Sequence, residues 1–367
     1  MANGVKQEHR PFRALSIDGG GMRGLYTAAF LDELARLFGE QRKTGYLDIG
    51  KGFDLIAGTS TGGIIACGLA AGIKASEIKK LYREHGPKIF SNPIPEGRIN
   101  LFRWAWSARE KAANSHPALR EALERLFGQT TLADLYEERG IALCIPAVNM
   151  ANHTSRVFKT PHLRRLTLDL KRTVVDACLA TSAAPIVLPL AALRETDDPD
   201  HHSTFADGGL WANNPVLVAT VEALQMVKPG QSIEVLSLST SAPPTGQDVL
   251  PTEANWGLAQ WKVGLAALET ALDAQSSGYN FIAGLLAPHL KCECRIFRYP
   301  PSPPSPQDAK FIGLDQASEK ARSILVSLGS NDARTAYGEA TREHPKPDGS
   351  FLKSIFDAMP GLEANAS

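Results

Sequence analysis

Cysteine is scarce in this sequence, and the five cysteines are odd in number. Cys67, Cys144 and Cys178 lie in apolar runs, as small core residues do, and Cys292 and Cys294 lack the second Cys/His pair that a zinc site needs. We therefore expect free thiols, a reducing compartment and no structural metal.

The sequence also has no excess of charge of either sign, because 39 Lys and Arg residues balance 39 Asp and Glu residues. This balance argues against a large basic face for duplex DNA or RNA and against an acidic solvating tail. Small anionic ligands remain compatible with it.

Long hydrophobic runs are missing as well. The first residues, MANGVKQEHRPF, contain no apolar segment of the kind found in secretory signals, so we expect a cytoplasmic protein. The longest apolar stretch, residues 174–193, is interrupted by Asp176 and two prolines, which makes it a poor membrane span. Any contact with a membrane is expected to be peripheral.

Two strand, glycine turn and helix units occur early in the chain. An apolar run at residues 12–17 precedes three glycines and a helical pattern, and a second run at 53–57 precedes GTSTGG and a small-residue helix at 64–71. Further core strands are predicted at 141–148 and 233–238. The repetition predicts an α/β fold with a mostly parallel sheet.

The domain boundaries follow from changes in composition. We predict a tail at residues 1–11, one α/β domain at 12–328 with a cap insertion at about 86–128, and a polar C-terminal tail at 329–367 in which a short helix near 351–359 is left open. Residues 254–286 are rich in Ala, Leu and Trp and are expected to form one or two long helices.

Gly58-Thr59-Ser60-Thr61-Gly62 matches G-x-S-x-G between a predicted strand and a predicted helix. This is the context of a nucleophile elbow, in which a serine lies in a strained turn and glycines on either side avoid clashes. The alternative is an ordinary serine-glycine turn. The context favours Ser60 as a nucleophile.

Asp18-Gly19-Gly20-Gly21-Met22-Arg23-Gly24 also joins a strand to a helix. Consecutive glycines expose backbone N–H groups that can bind an anion, such as the oxyanion of an acyl-transfer intermediate. Arg23 either locks this loop or meets the anion. The same glycines satisfy G-x-G-x-x-G, which leaves a dinucleotide-binding oxidoreductase as an alternative, although no acidic residue ends a second strand at the expected distance.

Asp207-Gly208-Gly209 supplies a candidate base for the serine. On its own, Asp-Gly is a common turn pair. None of the nine histidines lies in a motif that suggests a base, and His201 and His202 lie in a polar loop. A Ser60–Asp207 dyad is therefore preferred over a triad, with Asp207 acting at short range in a partly desolvated site.

Taken together and in this order, DGGGMRG, GTSTG and DGG resemble the motifs of the patatin-like phospholipases, and ACLATSAAPIVLP (177–189) is similar to another segment of that family. The resemblance implies a three-layer α/β/α sandwich that hydrolyses acyl esters of glycerophospholipids without metal or organic cofactor. It implies Ser60 as nucleophile, Asp207 as base, Gly19, Gly20 and Gly21 as oxyanion loop and Arg23 as a supporting cation.

Within that family, the opening segment and the Trp-containing helical C-terminal half resemble bacterial effectors of anti-phage defence that a cyclic dinucleotide activates. This resemblance implies a cyclic dinucleotide activator and a phospholipid substrate at the membrane surface, and it leaves a homo-oligomer open. A housekeeping lipase and a non-catalytic cyclic-nucleotide sensor are the alternatives.

One segment of the predicted cap mixes aromatic and basic residues. This pattern suits a lipid interface, but the same aromatics would equally form a small core of the cap. The residues are Arg98, Leu101, Phe102, Arg103, Trp104, Trp106, Arg109 and Lys111.

Overall fold

The computed structural model describes residues 10–95, 98–107, 109–195, 197–198, 200–241, 248–257, 260–261, 264–300 and 304–362, with the backbone alone at 98, 99, 101, 102 and 105. Eight strands of this described part form one sheet. They are β1 (Phe12–Ile17), β2 (Leu55–Gly58), β3 (Ala142–Asn149), β4 (Thr154–Lys159), β5 (Ala191–Arg194), β6 (His202–Asp207), β7 (Ile233–Leu238) and β8 (Cys294–Tyr299).

The strand order is β5-β6-β3-β2-β1-β7-β8, with β4 paired to β3. The run from β3 to β8 is parallel, whereas β4, β5 and β6 pair antiparallel with their neighbours. The predicted mostly parallel α/β sheet is therefore confirmed. Because Ile17 of β1 lies opposite Gly58 of β2, the two glycine-containing loops leave the sheet side by side.

Helices cover both faces of the sheet. Successive residues of β1 point into different cores, since Leu15 belongs to the core on one face of the sheet and Ala14 to the core on the other face. The helices are α1 (Gly24–Arg42), α2 (Thr61–Ala70), α3 (Ala75–Ile89), α4 (Arg98–Ser107), α5 (Pro117–Phe127), α6 (Leu132–Arg139), α7 (Val174–Thr181), α8 (Gly209–Ala212), α9 (Val216–Met226), α10 (Leu265–Leu286), α11 (Pro306–Ala309), α12 (Glu319–Ala340) and α13 (Pro347–Ala358).

The strands predicted at 141–148 and 233–238 correspond to β3 and β7. The long helix expected in 254–286 begins only at Leu265. The predicted segment 86–128 carries α4 and α5.

The C-terminal tail predicted at residues 329–367 is wrong over residues 329–340, whereas α13 lies where the short helix near 351–359 was left open. Residues 329–340 continue α12, which packs along α1 through buried Ala333 and Ala336, and α13 follows. Gly329 explains the close approach of α12, because a Cβ there would lie 2.4 Å from the carbonyl oxygen of Tyr26. The buried residues of α12 are mostly alanine, which gives little hydrophobic signal in a sequence that is polar overall.

Candidate active site

Ser60 lies in a strained turn at the carboxyl end of β2. Its φ of 55° and ψ of −125° belong to the positive-φ region, which costs a residue other than glycine about 1–3 kcal/mol, and α2 begins at the next residue. A Cβ on Gly58 would lie 2.2 Å from the carbonyl oxygen of Gly62, and a Cβ on Gly62 would lie 2.4 Å from that of Ile17. The glycines of G-x-S-x-G are therefore required by backbone contact, as an elbow requires.

Asp207, the last residue of β6, lies beside this serine. Ser60 Oγ donates a hydrogen bond of 2.7 Å to Asp207 Oδ2, across 147 residues of sequence. The amide of Gly209 donates to Asp207 Oδ1 at 2.6 Å. Only 8% of Ser60 and 6% of Asp207 are exposed, so the pair is largely shielded from water.

Burial raises the pKa of the Asp207 carboxyl to about 6, although the hydrogen bonds from Ser60 and the Gly209 amide act in the opposite direction. A carboxylate with this pKa is a stronger base than an exposed aspartate and is still ionised at neutral pH.

The histidines considered as members of a triad are distant from this pair. His202 begins β6 and Asp207 ends it, and His201 pairs with exposed Asp198 at 2.6 Å. No histidine is among the described residues that line the cleft around Ser60.

The glycine loop after β1 contributes two unoccupied N–H groups to the same cleft. The amide of Gly19 is not available to bind an anion, because it donates to the carbonyl oxygen of Asn213 at 2.8 Å. No oxygen of the described residues accepts from the amides of Gly20 and Gly21, and both residues line the cleft with Ser60. Gly21 has a φ of 56°, and a Cβ there would lie 2.0 Å from the carbonyl oxygen of Leu314.

Arg23 is buried, but it is not among the described residues that line the cleft. Burial lowers the pKa of its guanidinium, and the carboxylates of Asp273 and Glu269 on α10 oppose that effect. The charge of Arg23 is therefore felt by the acidic residues of α10, and its role in locking the glycine loop stays a prediction.

Several positioning residues were not found from the sequence. Thr181 Oγ1 accepts from the amide of Ser60 at 2.9 Å and donates to a carbonyl oxygen of β3 at 2.5 Å. Arg298 of β8 pairs with buried Asp18 and also donates to Ser237 Oγ at 2.8 Å. Ser237 and Arg298 lie far from the motifs in sequence, and Thr181 lies in the segment 177–189, so only the fold brings these side chains to the elbow and the loop.

The cleft itself is mostly apolar, with Ser60, Asp207 and the glycine loop at one end. Its walls come from α2, α3, α5, α8, α10 and the loops after α7 and α11, so Leu119 of the predicted cap contributes to them. The apolar lining residues are Ile64, Leu81, Tyr82, Ile89, Phe90, Leu119, Ala184, Pro185, Val187, Leu188, Leu210, Leu268, Leu272 and Leu314.

The two tryptophans of the predicted cap differ in burial. Trp104 is 7% exposed, and its indole N–H donates to the carbonyl oxygen of Asn92 at 3.4 Å. Trp106 is 59% exposed, and the guanidinium of Arg109 lies 4.4 Å from the centre of its ring. The side chains of Arg98, Leu101 and Phe102 lie outside the described residues.

A group of metal-ligand type forms away from the elbow. Ligand atoms of Cys144, His162 and Glu222 lie within 4.8 Å of one another, a grouping that the sequence did not suggest. Glu222 already pairs with Lys159, and its other oxygen lies 2.9 Å from His162 Nε2.

The described chain contains no helix that is both long enough and apolar enough to cross a membrane.

Comparison with known proteins shows similarity to phospholipases. The family model for patatin-like phospholipases matches residues 15–220. A cGAMP-activated phospholipase of Pseudomonas aeruginosa is 33% identical, over 89% of this chain and 90% of the relative. Relatives of the same name in Escherichia coli and Vibrio cholerae are 32% and 35% identical, over 89% and 61% of this chain and 90% and 62% of their own. The chain belongs to the patatin-like phospholipase family.

Proposed function

We propose that this phospholipase cleaves acyl esters of membrane glycerophospholipids through an acyl-Ser60 intermediate, with Asp207 as the base. The hydrogen bond of 2.7 Å between Ser60 Oγ and Asp207 Oδ2 supports this assignment above all, because it joins a nucleophile and a base at the end of an apolar cleft.

In the first half of the reaction, Ser60 Oγ attacks the ester carbonyl carbon and its proton passes to Asp207 Oδ2. The negative charge on the former carbonyl oxygen is stabilised by the amides of Gly20 and Gly21, while Gly19 only shapes the loop. The C–O bond to the lysophospholipid then breaks, and Asp207 returns the proton to the departing alkoxide.

In the second half, water attacks the acyl-Ser60 ester as Asp207 takes one of its protons. The same two amides stabilise the second oxyanion. When the bond to Ser60 breaks, Asp207 protonates Ser60 Oγ and a free fatty acid leaves. Each group ends in its starting state, and the cycle needs no metal or organic cofactor.

The apolar walls of the cleft suit an acyl chain, since burying each methylene stabilises binding by about 0.8 kcal/mol. The alternative of a dinucleotide-dependent oxidoreductase fits poorly, because the glycine loop faces Ser60 at this apolar cleft. A non-catalytic sensor has no need for an intact Ser60–Asp207 pair.

The partners in this proposal are a phospholipid at the membrane surface, approached peripherally from the cytoplasm, and a cyclic dinucleotide activator. The activator is supported by relatives named cGAMP-activated phospholipase. A role in defence against phage follows from this activation. A further copy of the chain is also a proposed partner.

The test is release of free fatty acid from vesicles of bacterial phospholipid, with and without a panel of cyclic dinucleotides. Ser60→Ala should abolish both release and labelling by a serine-directed fluorophosphonate. Ser182→Ala is the matched control, because Ser182 lines the same cleft but donates to the carbonyl oxygen of Cys178 at 2.7 Å. Labelling that survives in Ser60→Ala and disappears in Ser182→Ala would assign the nucleophile to Ser182.

A further inference from the structure

Among the described residues, the contacts that anchor α10 lie along one side of the helix. Ser276 accepts a hydrogen bond of 2.9 Å from Asn213 Nδ2, Leu272 packs near Gly209, and Ala283 is buried in the core that α9 covers. The opposite side of the helix faces away from the described residues.

That outer side carries an apolar seam with heptad spacing. Its six positions are separated by four, three, four, three and four residues, which places them in one line along the helix. Phe281 and Leu285 are 66% and 56% exposed. The six residues are Ala267, Ala271, Ala274, Gly278, Phe281 and Leu285.

Two properties of the seam have no explanation in contacts with the residues that the structure describes. From Ala274 to Leu290 the sequence contains no Asp, Glu, Lys or Arg, although Ile282 and Leu286 are also exposed. A glycine within a helix costs roughly 0.5–1 kcal/mol relative to alanine, yet a Cβ at Gly278 or Gly284 would meet nothing within 4 Å. The helix therefore leaves room for a backbone that the described part of this chain does not supply.

We propose that α10 pairs antiparallel with α10 of a second copy of this chain, across a twofold axis near Ser276. In that register Leu285 faces Ala267, Phe281 faces Ala271, and Gly278 faces Ala274. Each large side chain of one copy meets a small residue of the other, so one surface is complementary to itself, as an isologous interface requires.

The size and charge of this surface suit a second copy. α10 is 22 residues and thus about 33 Å long, and with α9, which packs beside it and exposes Val221, it presents a face about 20 Å wide. This amounts to on the order of 700 Å² per copy, close to the ~800 Å² per partner of a stable interface. The stretch 274–290 has no Lys or Arg that could bind the anionic headgroups of a bilayer. Two copies of this uncharged face, in contrast, do not repel each other.

Sedimentation equilibrium of the full chain over a wide concentration range tests the proposal. The wild type should reach twice the mass of one chain. Leu285→Lys should raise the dissociation constant at least about tenfold while leaving the melting temperature of the dissociated monomer, measured at low concentration, unchanged, because the side chain is exposed in one chain. Leu168→Lys is the matched control, because Leu168 is 74% exposed and lies outside α9 and α10, and it should dimerise normally.

The antiparallel register has its own test. Phe281→Ala removes a ring, and Ala271→Phe places a ring against the partner's Phe281, so each single variant should weaken the dimer. The double variant exchanges the two residues, so each ring faces an alanine again and dimerisation should be restored.

A wild type that stays monomeric, a dimer that Leu285→Lys does not weaken, or a double variant that stays as weak as its parents would overturn the proposal. If the chain is monomeric and Leu285→Lys instead loses binding to phospholipid vesicles, the seam contacts the bilayer. Hydrolysis of a soluble short-chain ester in the same samples reports on the Ser60–Asp207 proposal separately.

Discussion

Arg298 of β8 pairs with Asp18 at the end of β1, with Nη1 lying 3.3 Å from Asp18 Oδ1 across 280 residues of sequence. Burial raises the pKa of Asp18, and the charge and hydrogen bonds of Arg298 oppose that rise. Since Asp18 immediately precedes the glycine loop, the ion pair fixes the starting point of that loop.

Arg298→Met should therefore lower kcat by about 10–100-fold, because a small displacement of the oxyanion amides weakens contacts made in the transition state. KM for a soluble ester should change little. Arg295→Met is the matched control, since Arg295 lies on the same strand but is half-exposed and pairs with Glu234 at 2.9 Å. Equal losses in kcat for the two variants would show that Arg298 acts through strand stability alone.

The pH dependence of hydrolysis should follow the ionisation of Asp207. Its raised pKa of about 6 means that the carboxylate form needed to accept a proton is lost below that pH. kcat/KM for a soluble ester should therefore fall about tenfold per pH unit below pH 6 and level off above it. A plateau that extends unchanged to pH 4.5 would exclude Asp207 as the titrating base.

Asp207→Asn should abolish activity yet stabilise the fold at neutral pH. Because burial raises the pKa of this carboxyl from 3.8 to about 6, the folded state holds its proton more tightly than the unfolded state. The cost of ionising it develops as pH rises from about 4 to 6 and reaches up to about 3 kcal/mol above that range. The melting temperature of the variant should exceed that of the wild type at pH 8 but not at pH 3.5, and a lower value at pH 8 would contradict this argument.

Gly21→Ala should inactivate the enzyme. The added Cβ would lie 2.0 Å from the carbonyl oxygen of Leu314 at a residue with a φ of 56°, so the loop must move and carry its amides with it. Gly45→Ala serves as the control, because Gly45 has a φ of 75° with no atom within 4 Å of its Cβ. Gly45→Ala should lose stability through backbone strain but keep its kcat, as measured with a soluble ester.

The two cap tryptophans should respond differently to alanine. Trp104→Ala removes a buried ring and should lower stability by about 3 kcal/mol, measured by denaturant unfolding. Trp106→Ala should leave stability unchanged but reduce turnover of vesicle lipid, because exposed indoles partition to the headgroup region. Equal loss on vesicles and on a soluble ester would assign Trp106 to the cap itself.

The sequence predicts those parts of the site that are formed by consecutive residues. The elbow is formed by Gly58, Ser60 and Gly62. The apolar runs of β1 and β2 are enough to predict its place between a strand and a helix. Asp207 was found only because serine needs a base, since Asp-Gly alone suggests a turn.

What the sequence does not predict depends on contacts between distant segments. Thr181 belongs to an apolar helix, and nothing local marks its hydroxyl as the acceptor for the amide of Ser60. α12 was missed because its inner face is built from alanine and glycine, which carry little hydrophobic signal although they allow close helix packing.

The late position of Arg298 has a consequence for synthesis of the enzyme. A nascent or truncated chain that ends before residue 294 already contains Ser60 and Asp207 but lacks β8, the strand that pairs with β7, and the guanidinium that holds Asp18. The face of α1 that α12 covers is also still open at that stage. Without these contacts the glycine loop has no fixed starting point, so a fragment that ends before residue 294 should be inactive although it contains both residues of the dyad.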